Sequence, residues 1–401
     1  MKFRYRAVTK NSKLIQGLMD AKDSGEIANY LRQKELTPVA IEEERGDYAT
    51  KLASAFHKVK INDVVLFTRQ LSSMLAAGLT LLRALEIFKD QVQNPAMMEV
   101  LDGVVSDVEN GKSFSAAIAK YPKVFSGIYV SLIKAGEKSG LLDKVLLRLA
   151  DNMEKQQKLR STIKGALMYP VIIVILMVIV VTVMMIFVIP QLSVLYKNLN
   201  IALPLPTQIV VTMSDLTIRF WPITLGIIVT LVVAYQRWSK TEDGILIIDN
   251  LKLKMPVFGK LIKQTILAEF SRTFGLLVGT GTLVVEALME TAETAGNIYY
   301  KNAIKDVAKQ VEKGVSIGDA MAYYTLFTPM LVQLVKIGEQ TGKVDETLVK
   351  ASEYFEREVD QSVKTLTTAM EPFIMVILGV GVAFLIVSVI TPIYSLISSI
   401  Q

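Results

Sequence analysis

Few residues in this chain of 401 have the chemistry of a reactive or binding site. Glu137 and Glu339 stand in two near-copies of one phrase, "KAGEKSG" at 134–140 and "KIGEQTG" at 336–342. A carboxylate in such a phrase can close a hydrogen-bonded turn, face a partner, or hold a cation. Lys112 in "ENGKS" at 109–113 looks like the end of a phosphate-binding loop. "STIK" at 161–164 has the Ser-x-x-Lys spacing of an acyl-transfer nucleophile. His57 is the single histidine, and there is no cysteine.

Most of these patterns fail on context. A phosphate loop needs glycine five residues before its Gly-Lys pair, where this chain has Ser106, and a strand in front, where the pattern is helical. The matching position of the second copy is Val315. A turn between helices is the simpler reading. "STIK" lacks its companion motifs and sits where an apolar run begins, which suits basic residues beside a membrane. "GTG" at 279–281 and the Gly379/Gly381 pair are too short for a dinucleotide fingerprint. His57 has no partners for a histidine zinc site, and the lack of cysteine excludes disulfides, thiolate metal sites and a cysteine nucleophile. No cofactor is expected.

The elements that must position Glu137 and Glu339 are repeated. Phe67, Arg69, Gly78, Ala84 and Leu85 meet Phe270, Arg272, Gly281, Ala287 and Leu288, each 203 residues on. After one deletion the offset becomes 202. It then relates Phe125 to Phe327, Gly136-Glu137 to Gly338-Glu339, Gly140 to Gly342 and Asp143 to Asp345. Pro170 and Pro372 keep the same register. One register held this long marks a duplicated domain. In the first copy Phe67, Leu71, Met74 and Leu75 recur at helical spacing. "AAG" at 76–78, Asn110-Gly111 and Tyr121-Pro122 break helices, and Thr80 and Ser113 can cap the next ones. Each copy therefore predicts a small antiparallel bundle of about six short helices.

Within this frame Gly136 and Gly338 suit positions with no room for a side chain. Ser139-Gly140 and Thr341-Gly342 suit a turn into a new helix, with Asp143 and Asp345 in its first turn. Arg69 and Arg272 fit either a helix residue, buried or solvated, or a partner contact.

The chain is 51 % hydrophobic, which points to membrane spans. Residues 165–190 and 372–401 carry no charge, and 220–236 is a shorter apolar run edged by Trp221, Tyr235 and Trp238. Lys144, Arg148, Lys155, Lys158, Arg160 and Lys164 precede the first run, and only Lys197 and Arg219 lie between the first and second. Arg237, Lys240, Lys252, Lys254, Lys260 and Lys263 follow the second, and none follows the third. The excess of basic residues on the cytoplasmic side predicts a cytoplasmic N-terminus and an external C-terminus. It also accounts for the net charge of +6 without nucleic acid. The start "MKFRYRAV" has no apolar core of a cleavable signal. No span has a charge in its interior, and Glu371 stands only at the start of the third; this argues against an ion-coupled transporter. A pore lined by backbone or threonine stays open, as does a membrane-tethered sensor.

The fold class expected is mainly α and polytopic. A small α/β cytoplasmic segment, 1–45, has strands in "KFRYRAVT" and "TPVAIEE" and a helix in "SGEIANYLRQKEL" capped by Ser24. A linker follows at 46–60, then the first cytoplasmic domain at 61–168 and a span at 169–190. An external loop occupies 191–219, a second span 220–237 and a cytoplasmic connector 238–263. The second domain covers 264–371 and a third span 372–398.

The chain resembles the type II secretion F / type IV pilus inner-membrane platform family. Phe67-Thr-Arg-Gln-Leu71 with Gly78, the Gly-Glu-x-Ser/Thr-Gly phrase in both copies, and Tyr169-Pro170 and Glu371-Pro372 carry the likeness. So do Phe3-x-Tyr5-x-Ala7, Gly17 and "LTPVAI" at 36–41. "NSKL" at 11–14 departs from the glycine often found in the first hairpin, and Thr273 stands where Gln70 does in the first copy. The resemblance implies a non-enzymatic platform in the bacterial inner membrane. It would engage a cytoplasmic hexameric assembly or retraction ATPase, pilin or pseudopilin subunits, other inner-membrane components of the machine, and lipid. A homo-oligomer is expected, and the two homologous domains could pair with each other or across chains. Arg69, Gly78, Gly136, Glu137, Gly140, Pro170, Arg272, Gly281, Gly338, Glu339, Gly342, Glu371 and Pro372 are the candidates for partner contact or domain integrity.

Overall fold

A computed structural model describes residues 2–8, 14–21, 24–34, 36–43, 58–188, 190–191, 194, 208, 212, 220, 226–227, 229–256 and 258–400. The chain divides into two compact units, Met1–Leu147 and Arg148–Gln401.

The first unit opens with strands β1 (Lys2–Val8) and β2 (Leu14–Asp20), helix α1 (Ser24–Gln33) and strand β3 (Thr37–Glu43). The sheet order is β2-β1-β3, all antiparallel, with Tyr5 paired to Gly17 on one side and to Ile41 on the other. The helix begins at Ser24, the residue expected to cap it. The linker expected at 46–60 lies outside the described residues except for 58–60.

The first bundle follows: α2 (Ile61–Ala76), α3 (Leu81–Gln91), α4 (Pro95–Glu109), α5 (Phe114–Ile118), α6 (Gly127–Ser139) and α7 (Leu142–Val183). Polar side chains start these helices, Thr80 and Ser113 as expected and Asn94 and Ser126 in addition. Thr80 accepts from the Arg83 N–H, Asn94 from Ala96, Ser113 from Ala116 and Ser126 from Tyr129. The core closes around Phe67, whose ring lies 5.2 Å from Phe88 and 5.8 Å from Phe125. Phe67, Phe88, Phe114 and Phe125 are all buried, each worth about 1.5–3 kcal/mol relative to exposure.

The second unit contains α8 (Glu242–Lys254), α9 (Phe258–Gly279), α10 (Val284–Glu293), α11 (Ile298–Glu312), α12 (Ile317–Ala322), α13 (Pro329–Thr341) and α14 (Val344–Ile400). The order and loop chemistry of α9–α14 reproduce those of α2–α7. Phe270 packs on Phe327 with ring centroids 5.6 Å apart, as Phe67 does on Phe125. One difference is local: Leu283 replaces Thr80 before the second helix and supplies no cap.

The segment expected as a connector, 238–263, holds α8 and the first residues of α9, which starts at Phe258. Asp249 of α8 is buried and accepts from the Ile298 N–H at 2.9 Å, so α8 is pinned on the N-terminus of α11. The sixth helices are not short. At 42 and 57 residues, α7 and α14 are about 63 and 85 Å long, and they run through Pro170 and Pro372 without a break. A proline removes one ladder bond and crowds the preceding turn, which long helical stretches on either side can outweigh.

Two helices among the described residues are long and apolar enough to cross a membrane, Leu142–Val188 and Val344–Ala383. The first ends in a π-helical turn, Met184–Val188, that the sequence did not announce. Most of the external loop expected at 191–219 lies outside the described residues, as does part of the span expected at 220–237; positions 229–238 are helical and exposed.

Candidate functional site

Both acidic phrases form the same device. α6 ends on Gly140 in the left-handed region, φ 68°, and α13 ends on Gly342, φ 69°. The Gly140 N–H donates to the Glu137 carbonyl and the Leu141 N–H to the Gly136 carbonyl, at 3.3 and 3.0 Å. Gly342 and Lys343 repeat these bonds to Glu339 and Gly338, at 3.3 and 2.8 Å. This is a Schellman closure, and only glycine adopts its left-handed position without strain. Gly136 and Gly338 lie where the next helix crosses. A methyl on Gly136 would sit 3.1 Å from the Val145 Cβ, and one on Gly338 would sit 2.8 Å from the Val344 Cα.

The carboxylates point away from this closure to the start of a different helix. Glu137 accepts from the Phe114 N–H at 2.5 Å and the Ser115 N–H at 3.1 Å, and also takes the Ser115 hydroxyl. Glu339 accepts from the Ile317 and Gly318 N–H groups at 2.5 and 2.8 Å. Ser113 and Ser316 accept from the third N–H of each helix. α5 and α12 have five and six residues, too short to persist alone, so three of their orphan donors are met by side chains. A carboxylate there also complements the positive end of the helix. Each carboxylate is thus ringed by N–H donors, the opposite of a cation's surroundings. Among the described residues no group of three or more His, Cys, Asp or Glu stands together as a metal site.

Charges nearby reinforce the same joints. Asp107 takes Lys112 at 2.7 Å and also Lys120, whose hydrogen bonds hold its carboxyl below the usual range. In the second copy Lys336 lies 2.7 Å from Asp319, and its hydrogen bond lowers that carboxyl likewise. "ENGKS" is accordingly a helix-linking turn: Asn110 ends α4, Gly111 has φ 82°, and Ser113 starts α5.

The remaining candidates are dispersed. Gly78 and Gly281 end α2 and α9 with φ of 87° and 85°. Arg69 is half-buried on α2, and its carbonyl accepts from the Ser72 and Ser73 hydroxyls. Arg272 is 6 % exposed and reaches Glu356 of α14 through Nε at 3.1 Å and Nη2 at 2.6 Å. Glu371 is exposed and is the last charged residue of α14. Pro170 is buried and Pro372 exposed, both inside helices.

The sequence reading missed several buried and half-buried partners. Glu356, Asp249 and the chain Ser362–Gln264–Glu358, at 2.6 and 2.8 Å, all act across elements, where no local spacing marks them. It also missed Thr68, whose hydroxyl meets Tyr129 at 3.0 Å; burial holds that phenol well above its ordinary value. The second copy has Ser271 and Leu331 there, and the Ser271 hydroxyl has no partner. Within the second unit, α7, α9 and α14 line a groove of about 530 Å³. Its walls carry both signs of charge, including Arg148, Asp151, Arg272 and Asp345, and Lys155 pairs with Glu353 at 3.4 Å.

The family described as type II secretion system (T2SS), protein F, matches residues 67–190 and again 270–392, and its N-terminal domain matches 1–42. The type IV pilus assembly protein PilC of Thermus thermophilus is 37 % identical over 100 % of this chain and 99 % of its own length. The PilC of Myxococcus xanthus is 34 % identical over 100 % and 96 %. The type II secretion system protein F of Vibrio cholerae is 27 % identical over 98 % and 97 %.

Proposed function

The chain belongs to the type II secretion system protein F family, and we propose that it is the inner-membrane platform of a type IV pilus machine. In this reading a cytoplasmic hexameric ATPase, outside this chain, drives insertion or extraction of pilin subunits through it. The chain is an assembly protein and not an enzyme. The identities of 37 % and 34 % to pilus assembly proteins, against 27 % to a secretion protein, favour pili over secretion.

One observation carries the mechanical part. The last helix of each repeat continues without interruption from an acidic, water-compatible first turn into an apolar stretch. Val174 and Leu176 of α7 and Phe373, Val376 and Val380 of α14 are exposed large apolar residues, as a lipid-facing surface requires. A continuous helix is a stiff rod, so a displacement imposed on a bundle is delivered to its span. The first and third spans are these helices, the second is 220–237, the N-terminus and both bundles are cytoplasmic, and the C-terminus is external. Glu137 and Glu339 serve domain integrity.

The test is affinity purification of the full chain from membranes of its native cells. Recovery of a hexameric ATPase and pilin-like subunits is expected. Solute flux through the purified chain in liposomes, with neither partner recovered, would sink the platform reading and favour a pore.

A further inference from the structure

α8 lies where the second bundle meets the apolar part of α14. α9 and α14 run antiparallel: Gly279 is beside Asp345, Gly275 beside Leu348, and Gln264 bonds Glu358 and Ser362. The start of α9 therefore sits at the end of the bundle from which the uncharged stretch after Glu371 emerges. α8 is held at that end. The Gly259 N–H donates to the Met255 carbonyl at 2.8 Å, and Asp249 is bonded to the N-terminus of α11.

Its inner face is settled by Gly244 and Asp249, both buried, with Ile245 and Ile248 half-buried. Its outer flank is not covered. Ile247 and Leu251 are 55 % and 61 % exposed, one helical turn apart, and Met255 continues the ridge. Upstream, Tyr235 and Trp238 are also exposed, their rings 6.3 Å apart. Around this ridge the segment 237–264 carries Arg237, Lys240, Lys252, Lys254, Lys260 and Lys263 against Glu242, Asp243 and Asp249, of which Asp249 is buried. Apolar residues on one flank, aromatic residues at the start and an excess of lysine match the headgroup layer of an anionic bilayer.

We propose that α8 is an interfacial helix, lying on an anionic lipid surface with Ile247, Leu251 and Met255 dipped below the headgroups. It thereby fixes the height of the second bundle beneath the membrane. The proposal rests on the reading of α14 as a membrane span.

The chain has no cysteine, so single cysteines can be placed without background. Ile247→Cys and Leu251→Cys, both at exposed positions, are labelled with a thiol fluorophore in the full chain. The protein is reconstituted in vesicles of phosphatidylcholine and phosphatidylglycerol containing brominated phosphatidylcholine. Leu283→Cys, 75 % exposed in the turn at the opposite end of the bundle, is the aqueous reference, and Val376→Cys is the buried-in-lipid reference. Labels at 247 and 251 should lose about half their emission to the brominated chains and resist iodide about threefold better than the label at 283. Iodide access equal to that at 283 overturns the proposal, and so does protection from both quenchers, which would mean cover by protein. If the label at 376 also reads as aqueous, the span itself has failed. If 376 reads as lipid while 247 and 251 read as water, the interfacial helix alone is refuted.

Discussion

At the residue scale, Glu137 and Glu339 act by accepting N–H donors that would otherwise be unpaired at half-buried helix starts. Removing the acceptor exposes the full cost of those donors. Glu137→Ala should therefore destabilise by about 1–3 kcal/mol, and Glu339→Ala by a similar amount. Glu137→Gln keeps one carbonyl oxygen and should lose less. Denaturant unfolding of the full chain in detergent measures this. An unchanged midpoint for both alanine variants, with pilus output abolished, would instead assign these residues to a partner contact. The glycines of the phrase were readable in advance, because a left-handed closure and a close helix crossing both demand the missing side chain. The target of the carboxylate was not, since Phe114 and Ser115 lie more than 20 residues earlier and meet Glu137 only after the bundle has closed.

At the element scale, α9 and α14 form the spine of the second bundle, and the buried Arg272 pairs across it with the half-buried Glu356. Arg272 is 6 % exposed and Glu356 23 %, so neither is fully hydrated, and the pair holds by its two hydrogen bonds. Breaking one side leaves a charge without its partner in a low dielectric. Arg272→Met should cost about 2–4 kcal/mol, and adding Glu356→Leu should restore most of it. If the double variant is no more stable than the single, the pair is not what holds these helices. Helix starts were legible, because Ser, Thr and Asn caps are local signals. Helix lengths were not. Pro170 and Pro372 read as places where spans begin, yet a helix supported on both sides absorbs the loss of one bond. α8 read as a connector because its two faces are both partly apolar, which blurs the periodicity that marks an amphipathic helix.

At the scale of the whole molecule, the proposed topology rests on the distribution of lysine and arginine about the apolar runs. Reporter fusions near residue 205 should read as external and those near 300 as cytoplasmic. The reverse pattern would invert the orientation and place both bundles on the wrong side for a cytoplasmic motor.

The amino-acid sequence alone determined the family, the duplication, the glycine turns of the repeated phrase, the caps Thr80 and Ser113, and the apolar stretches. These are properties of residues near one another in the chain, or of one register compared with itself. Tertiary structure decided what Glu137, Glu339, Asp249 and Arg272 touch, that α7 and α14 continue through their prolines, and that α8 packs on the second bundle. Those outcomes depend on groups brought together across 20 to 90 residues, where burial raises the worth of a hydrogen bond and no short-range pattern reports it.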